Sequence, residues 1–360
     1  MDTFKNPWRG KGLPAGAGLA EGELSETAAE ASGFLERSPD ARATPLLDPA
    51  ELAGTFGIGA LYIKDERNRM GLGSFKALGA AYAIAKRAGL AVREGNAKDY
   101  GTALEGLTFA CASAGNHGLS LAAGAPLYGA KAVIFVSETV PEAFAVRLRQ
   151  TSAGVVRAGA TYEDSMAEAQ REAARNGWIL LPDSTWPDMT GAGRDVMEGY
   201  LIMGDEISRQ MPEPPTHVFL QAGVGGLAAA CALSARATWG QKVTIMVVEP
   251  DYAPALQASI KAGKAVTAPG PVSVMGRLDC KEPSHLALKY LAREADFFTT
   301  VTDEEAADTV ALLAAHNLAT TPSGAAGIAA LHHAGAHATA LNLGPDSRVL
   351  CYLSEGPEDG

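Results

Sequence analysis

Gly71-Leu72-Gly73-Ser74-Phe75-Lys76 is the stretch on which the reading of this chain turns. Just before it, Ala60-Leu61-Tyr62-Ile63-Lys64 is a short apolar run that reads as a buried strand. Asp65-Glu66-Arg67-Asn68-Arg69 leaves that strand as a charged loop. Gly71 and Gly73 allow tight backbone turns. Ser74 is placed to cap a helix, and the alanine-rich residues 77–86 carry the helix forward. Lys76 thus stands at a helix start just beyond a strand, where an α/β fold places its sites. Partial burial and the positive end of a helix both depress an amine's pKa, a condition that favours imine chemistry. An ordinary surface lysine also fits the hexapeptide taken alone, so the weight falls on what surrounds it.

Working outward, strands and helices alternate. Strands are predicted over residues 107–111, 131–136, 154–157 and 178–181, with helices over 117–129, 141–152 and 162–176 between them. That pattern is a small open α/β unit with a parallel sheet. Residues 182–193, polar and carrying two prolines and two glycines, break it. A second alternation follows, with strands over 218–221, 243–249, 297–301 and 348–353. Its helices are predicted over 194–211, 227–238, 253–262, 284–293, 303–316 and 324–333. Ahead of Lys76, residues 19–37 are read as a helix lying on a larger domain, residues 44–47 as a turn into an apolar patch, and residues 49–55 as a short helix.

The totals narrow the class. The 360 residues are 47% hydrophobic, a globular and enzyme-like composition long enough for two domains. The net charge of −11 argues against nucleic acid or an anionic membrane as partner, because both demand basic patches. Four cysteines without paired spacing, Cys111, Cys231, Cys280 and Cys351, read as reduced core residues of a cytoplasmic protein. The first ten residues hold no apolar block of a signal peptide, and no run reaches the length of a membrane span.

Three further stretches carry chemistry. Ser113-Ala114-Gly115-Asn116-His117-Gly118 lies between a strand and a helix, where backbone N–H groups bind anions such as an amino-acid carboxylate. Ser113 can add a hydroxyl there and Asn116 an amide, while His117 reads more naturally as structural. Gly223-Val224-Gly225-Gly226-Leu227 joins a strand to a helix and suits a phosphate. A dinucleotide fingerprint competes there, with Ala228 in the third glycine position and Glu249 about twenty residues on. Thr321-Pro322-Ser323-Gly324 is either a plain helix cap or a hydroxyl donor to a pyridine nitrogen. No metal site is expected: His332, His333 and His337 lack a nearby carboxylate in the sequence and read as a solvated helix end.

Together these stretches resemble the fold type II pyridoxal phosphate enzymes, the tryptophan synthase β-like group. The resemblance rests on Lys64-Asp65-Glu66, Gly73-Ser74-Phe75-Lys76, the Ser113–Gly118 loop and Gly223-Val224-Gly225-Gly226, and spans about residues 44–356. Within the group the chain is most similar to the diaminopropionate ammonia-lyases, through residues 109–121, Asp183-Ser184-Thr185-Trp186, Met197-Glu198-Gly199-Tyr200, residues 275–283 and Ser354-Glu355-Gly356.

The resemblance implies an α/β fold of two open twisted sheets with flanking helices, the smaller domain (77–189) inserted in the larger, cofactor-binding one (1–76 and 190–360). It implies pyridoxal 5'-phosphate on Lys76, with the phosphate on Gly223, Val224, Gly225, Gly226 and Leu227. Asn116 would contact the phenolate oxygen and Ser323 the pyridine nitrogen. Ser113, Ala114, Gly115, Asn116 and His117 would hold the substrate carboxylate, and Asp183 would act as acid/base. It also implies a homodimer. Ala114 departs from the lyase pattern, which carries an aspartate there serving the D-substrate. Arg277 and Lys281 depart too, and would suit an acidic β-substituent. The expected activity is β-elimination on a small amino acid, 2,3-diaminopropionate giving pyruvate and ammonia. The alternatives are a serine, threonine or 3-hydroxyaspartate dehydratase, a β-replacement synthase, or an NAD-binding protein using the glycine loop alone.

Overall fold

Two sheets flanked by helices organise the chain in the computed structural model, which describes residues 1–35, 40–113 and 115–357. The strands are β1 (Thr3–Lys5), β2 (Leu46–Leu47), β3 (Ala60–Asp65), β4 (Thr108–Ala112), β5 (Lys131–Val136), β6 (Gly154–Arg157), β7 (Ile179–Leu180), β8 (His217–Gln221), β9 (Thr244–Pro250), β10 (Phe297–Val301) and β11 (Arg348–Leu353). The larger sheet runs β1-β10-β9-β8-β11-β3-β2, parallel except for the antiparallel edge strands β1 and β2. The smaller runs β6-β5-β4-β7 and is parallel throughout. Parallel strands covered on both faces read as unbroken apolar runs. Accordingly β8 and β9 are buried along almost their whole length.

Each sheet reverses its strand order once. From β8 the chain moves outward through β9 and β10, then returns to lay β11 on the other side of β8. From β4 it moves outward through β5 and β6, then returns to lay β7 on the other side of β4. Open α/β sheets bind ligands beyond the carboxyl ends of their strands at such reversals. Five of the stretches singled out in the sequence leave a strand at or beside one of them: 66–76 from β3, 113–118 from β4, 181–183 from β7, 222–226 from β8 and 354–356 from β11.

The helix Lys76–Arg93 is set by its packing on Gly191–Gln210. A Cβ on Gly79 would lie 2.7 Å from Val196 Cγ1, and one on Gly199 only 2.6 Å from the Leu78 carbonyl oxygen. Two glycines therefore let the helix backbones meet, and Phe75 closes the end of the contact edge-on against Tyr200, ring centroids 4.9 Å apart.

The charged loop after β3 is present, and two of its residues, Glu66 and Arg69, are buried with Lys64 and Glu206 in one ionic cluster. Only Ala29–Leu35 of the helix predicted over 19–37 is helical, its last two residues lying outside the described ones. Leu24 N instead donates to the Tyr290 hydroxyl and Ser25 N to Glu198, so side chains of the body satisfy the backbone there. Strands β1 and β2, absent from the sequence reading, are too short to leave a periodic signal.

Candidate active site

Lys76 opens its helix, and its Nζ donates to Asp183 Oδ2 at 2.8 Å. The contact joins the two sheets, since Lys76 follows β3 and Asp183 follows β7. Ser74 does not cap the helix by its side chain as expected; its hydroxyl accepts instead from Lys76 N at 3.3 Å. The expected depression of the lysine's pKa is overturned as well. Burial pulls it down, but the Asp183 carboxylate pulls harder, and the net shift is upward. Burial likewise pushes Asp183 up, and the Lys76 ammonium outweighs it, holding the carboxyl well below its usual range.

The Ser113–Gly118 loop leaves β4 and opens the helix Asn116–Gly124. Ser113 Oγ accepts from Gly118 N at 3.0 Å and from Gly115 N at 3.2 Å, so this hydroxyl shapes its own loop. His117 Nε2 lies 2.7 Å from the Leu181 carbonyl oxygen, tying the loop to the end of β7 two residues before Asp183. Burial lowers the His117 pKa. Asn116 Nδ2 donates to Glu355 Oε2 at 2.6 Å. Ala114 lies outside the described residues.

The glycine loop leaves β8, and the helix Gly226–Trp239 starts from it. Gly225 adopts φ +102°, open only to glycine at low cost. A Cβ on Gly223 would come within 3.0 Å of Cys280 Sγ and 3.1 Å of the Arg277 carbonyl oxygen. Bare backbone at a helix start, with no room for side chains, is the form of a phosphate cradle. Cys280 lies close to this loop and to the Lys76–Asp183 pair, and burial pushes its thiol up to about 11. Val224 O accepts from Ser284 N at 2.9 Å, and Leu227 is buried. A lysine amine and a phosphate cradle at the same strand ends fit pyridoxal phosphate. The dinucleotide reading fails on Glu249, whose carboxyl group accepts from Leu256 N and Gln257 N and, fully buried, is closed to a ribose.

Ser323 is buried one residue past the Thr321–Pro322 helix start, and its Oγ accepts from Arg277 N at 3.2 Å. Glu355 counted toward the resemblance in Ser354-Glu355-Gly356 but was given no role in the sequence reading. It leaves β11 and collects Asn116, Arg277 and the Thr321 hydroxyl, while its own carbonyl accepts from Thr320 Oγ1 at 2.6 Å. The signal was present: Ser354-Glu355-Gly356 stands at the carboxyl end of the last strand. Arg277 and Lys281 part company, for Lys281 Nζ is spent on Tyr252 O, Pro271 O and Asp279. Away from the site, the histidine pair does have a carboxylate: Asp308 Oδ2 lies 3.2 Å from His333 Nε2 and 3.8 Å from His332 Nδ1. It comes from the neighbouring helix Asp303–Ala315, out of reach of a local sequence reading.

The family model described as pyridoxal-phosphate dependent enzyme matches residues 37–355. A diaminopropionate ammonia-lyase of Escherichia coli (strain K12) is 30% identical over 347 residues, covering 91% of this chain and 87% of the relative. One of Salmonella typhimurium is 29% identical over 96% of this chain and 92% of its own length. The crystal structure of the Escherichia coli enzyme in complex with an aminoacrylate-PLP azomethine reaction intermediate superposes with a TM-score of 0.86 at 29% identity, covering 99% of this chain and 93% of that one. Among the described residues no helix is long and apolar enough to cross a membrane.

Proposed function

The chain belongs to the pyridoxal-phosphate dependent enzymes, and from that premise we propose that it is an ammonia-lyase that β-eliminates L-2,3-diaminopropionate. The overall change is diaminopropionate plus water to pyruvate and two ammonia. The observation that carries this reading is the Lys76–Asp183 contact, made where the reversals of the two sheets meet and beside a glycine cradle. The curated lyases that resemble the chain along most of its length support the substrate.

Pyridoxal phosphate, when bound, supplies a sink for the negative charge that develops at the substrate Cα. Lys76 is its attachment point, and Gly223, Val224, Gly225, Gly226 and Leu227 hold its phosphate through backbone N–H groups and the helix end. Asn116 would contact its phenolate oxygen and Ser323 its pyridine nitrogen. The Ser113–His117 loop orients the substrate carboxylate at the start of the helix Asn116–Gly124. Lys76 Nζ takes the α-proton. Asp183, an acceptor 2.8 Å from that nitrogen, relays the proton to the departing β-nitrogen. In this reading residues 77–189 form the small domain and residues 1–76 with 190–360 the large one, since the four-stranded sheet lies wholly within the former. Four free cysteines suit a cytoplasmic enzyme, and the resemblance suits a homodimer.

Steady-state keto-acid release tests the reading, with cofactor-loaded protein on D- and L-diaminopropionate, L-serine and L-threonine. L-diaminopropionate leads the panel, and Lys76→Ala abolishes both turnover and the visible absorbance of bound cofactor. A colourless wild-type protein would sink the assignment of Lys76. Turnover confined to the hydroxy-amino acids would keep Lys76 and discard the substrate.

A further inference from the structure

Asp183 lies on a short crossing between the two sheets, and the chain is tied down on both sides of it. Two residues before it, Leu181 N donates to the Ala110 carbonyl oxygen at 2.8 Å, and Leu181 O faces His117 Nε2 at 2.7 Å. Pro182 follows with its own φ fixed. Two residues after Asp183, Thr185 is fully buried. Its carbonyl oxygen accepts from His285 N at 3.1 Å, and its Oγ1 accepts from Leu286 N at 2.9 Å. Those are the first two amides of the helix His285–Glu294, which the helix itself cannot satisfy. Ser284 holds the capping position but makes no side-chain cap bond; its hydroxyl lies 2.8 Å from Thr185 Oγ1 instead. A threonine from a distant segment therefore caps this helix. Ser284 N in turn donates to Val224 O of the glycine loop at 2.9 Å. Hydrogen bonds thus run from the segment of Asp183 to the phosphate cradle. From the other side, a Cβ on Gly193 would collide with the Ser184 carbonyl oxygen and stand 2.7 Å from Thr185 Cγ2.

We propose that Thr185 is a positioning residue for Asp183, fastening that carboxylate to the frame of the glycine loop so that it stays opposite Lys76. The proposal rests on the reading of the site given above. Asp183 follows a strand of the smaller sheet, whereas Lys76 and the glycine loop follow strands of the larger one. The 2.8 Å contact along which the proton moves is made across that boundary. Proton transfer needs its donor and acceptor within hydrogen-bond reach. Without the Thr185 hydroxyl, Leu286 N and the Ser284 hydroxyl lose their partner where Thr185, Ser284 and Leu286 are all fully buried. Unpaired polar groups in such a place cost more than the bonds themselves, so the segment shifts to relieve them. Asp183 then follows the smaller sheet and leaves Lys76.

Two substitutions separate bonding from packing. Thr185→Val keeps the methyl that faces Gly193 and removes the oxygen, and Thr185→Ser does the reverse. Each is made in the wild type and in Asp183→Asn. The first readout is kcat and KM for diaminopropionate on the cofactor-loaded protein. The second is the pH midpoint of the rate at which cofactor-stripped protein takes up pyridoxal phosphate, which reports the protonation of Lys76. Thr185→Val lowers kcat about 10–100-fold with KM nearly unchanged, the effect of a displaced proton relay. It also moves the midpoint to lower pH, the direction in which loss of the Asp183 carboxylate acts. Thr185→Ser stays near the wild type in both. In Asp183→Asn, Thr185→Val changes neither quantity further, because the group it positions is already gone. Equal effects in the two backgrounds would overturn the proposal. So would an impaired Thr185→Ser beside a normal Thr185→Val, which would leave Thr185 a packing residue. Should Thr185→Val fail to fold, Ser284→Ala, which spares the bonds of Thr185 to the helix, carries the same comparison with smaller effects. A wild type that takes up cofactor but turns over no diaminopropionate would overturn the functional reading instead, and the midpoints would still decide the role of Thr185.

Discussion

Replacing Asp183 with asparagine removes the charge opposite Lys76 and keeps the shape. The ammonium and carboxylate are 2.8 Å apart and mostly shielded from water. A hydrogen bond between charged groups is worth about 1.5–3 kcal/mol. Losing it favours the neutral amine and lowers the lysine's pKa. Burial, which already pulls that pKa down, then acts unopposed by its largest counterweight. A neutral amine is the form that attacks a carbonyl. Cofactor-stripped Asp183→Asn should therefore load pyridoxal phosphate faster than wild type at neutral pH, with the midpoint of its rate–pH profile moved to lower pH. Keto-acid release should fall nonetheless, because asparagine cannot pass a proton to the leaving nitrogen. Stopped-flow absorbance across the alkaline range gives the first quantity and steady-state turnover the second. Identical loading midpoints in the two proteins would refute the claim that Asp183 sets the lysine's protonation.

Gly225→Ala should weaken cofactor retention and cost about 1–3 kcal/mol of stability, because its φ of +102° strains any side chain and its Cβ would lie 3.1 Å from Ala287 Cβ. Gly335→Ala, with nothing within 4 Å, is the control, and equal cofactor affinity in the two variants would remove the argument for the cradle. Glu206→Ala leaves Lys64 and Arg69, buried at 0% and 1% exposure, with Glu66 alone, and should cost about 3–5 kcal/mol in urea unfolding; a loss below about 1 kcal/mol would mean the cluster is solvated. Burial pushes the Glu249 carboxyl up to about 8 from an ordinary 4.5. A carboxyl raised on folding adds stability that is complete below its unfolded pKa and is lost as pH rises through the folded one. Glu249→Gln should therefore flatten the decline in urea midpoint between about pH 4.5 and about pH 8, and parallel curves for the two proteins would count against a protonated Glu249.

What the sequence made legible was local. The glycine loop after β8, the small-residue loop after β4 and Lys76 after β3 each sit where a strand hands over to a helix, and turn chemistry marks such joints. The second alternation of strands was equally readable, because parallel strands such as β9 are apolar along their length. Three things lay beyond it, for one physical reason: each is a balance between groups distant in the chain. The protonation of Lys76 depends on Asp183, 107 residues away, and that partner reverses the shift that burial and a helix start predict. Glu66 and Arg69 of the charged loop are buried because Glu206 arrives from another helix to share Arg69 and Lys64. Glu355 sits at the end of a strand that any reading would find, yet its side chain acquires meaning only beside Asn116, Arg277 and Thr321. Strand order links these cases. The reversals at β8/β11 and β4/β7 decide which strand ends become neighbours, and only then does a lysine acquire its carboxylate and an arginine its glutamate. A sequence can nominate the residues of such a site one loop at a time; their charges are settled by the topology that brings the loops together.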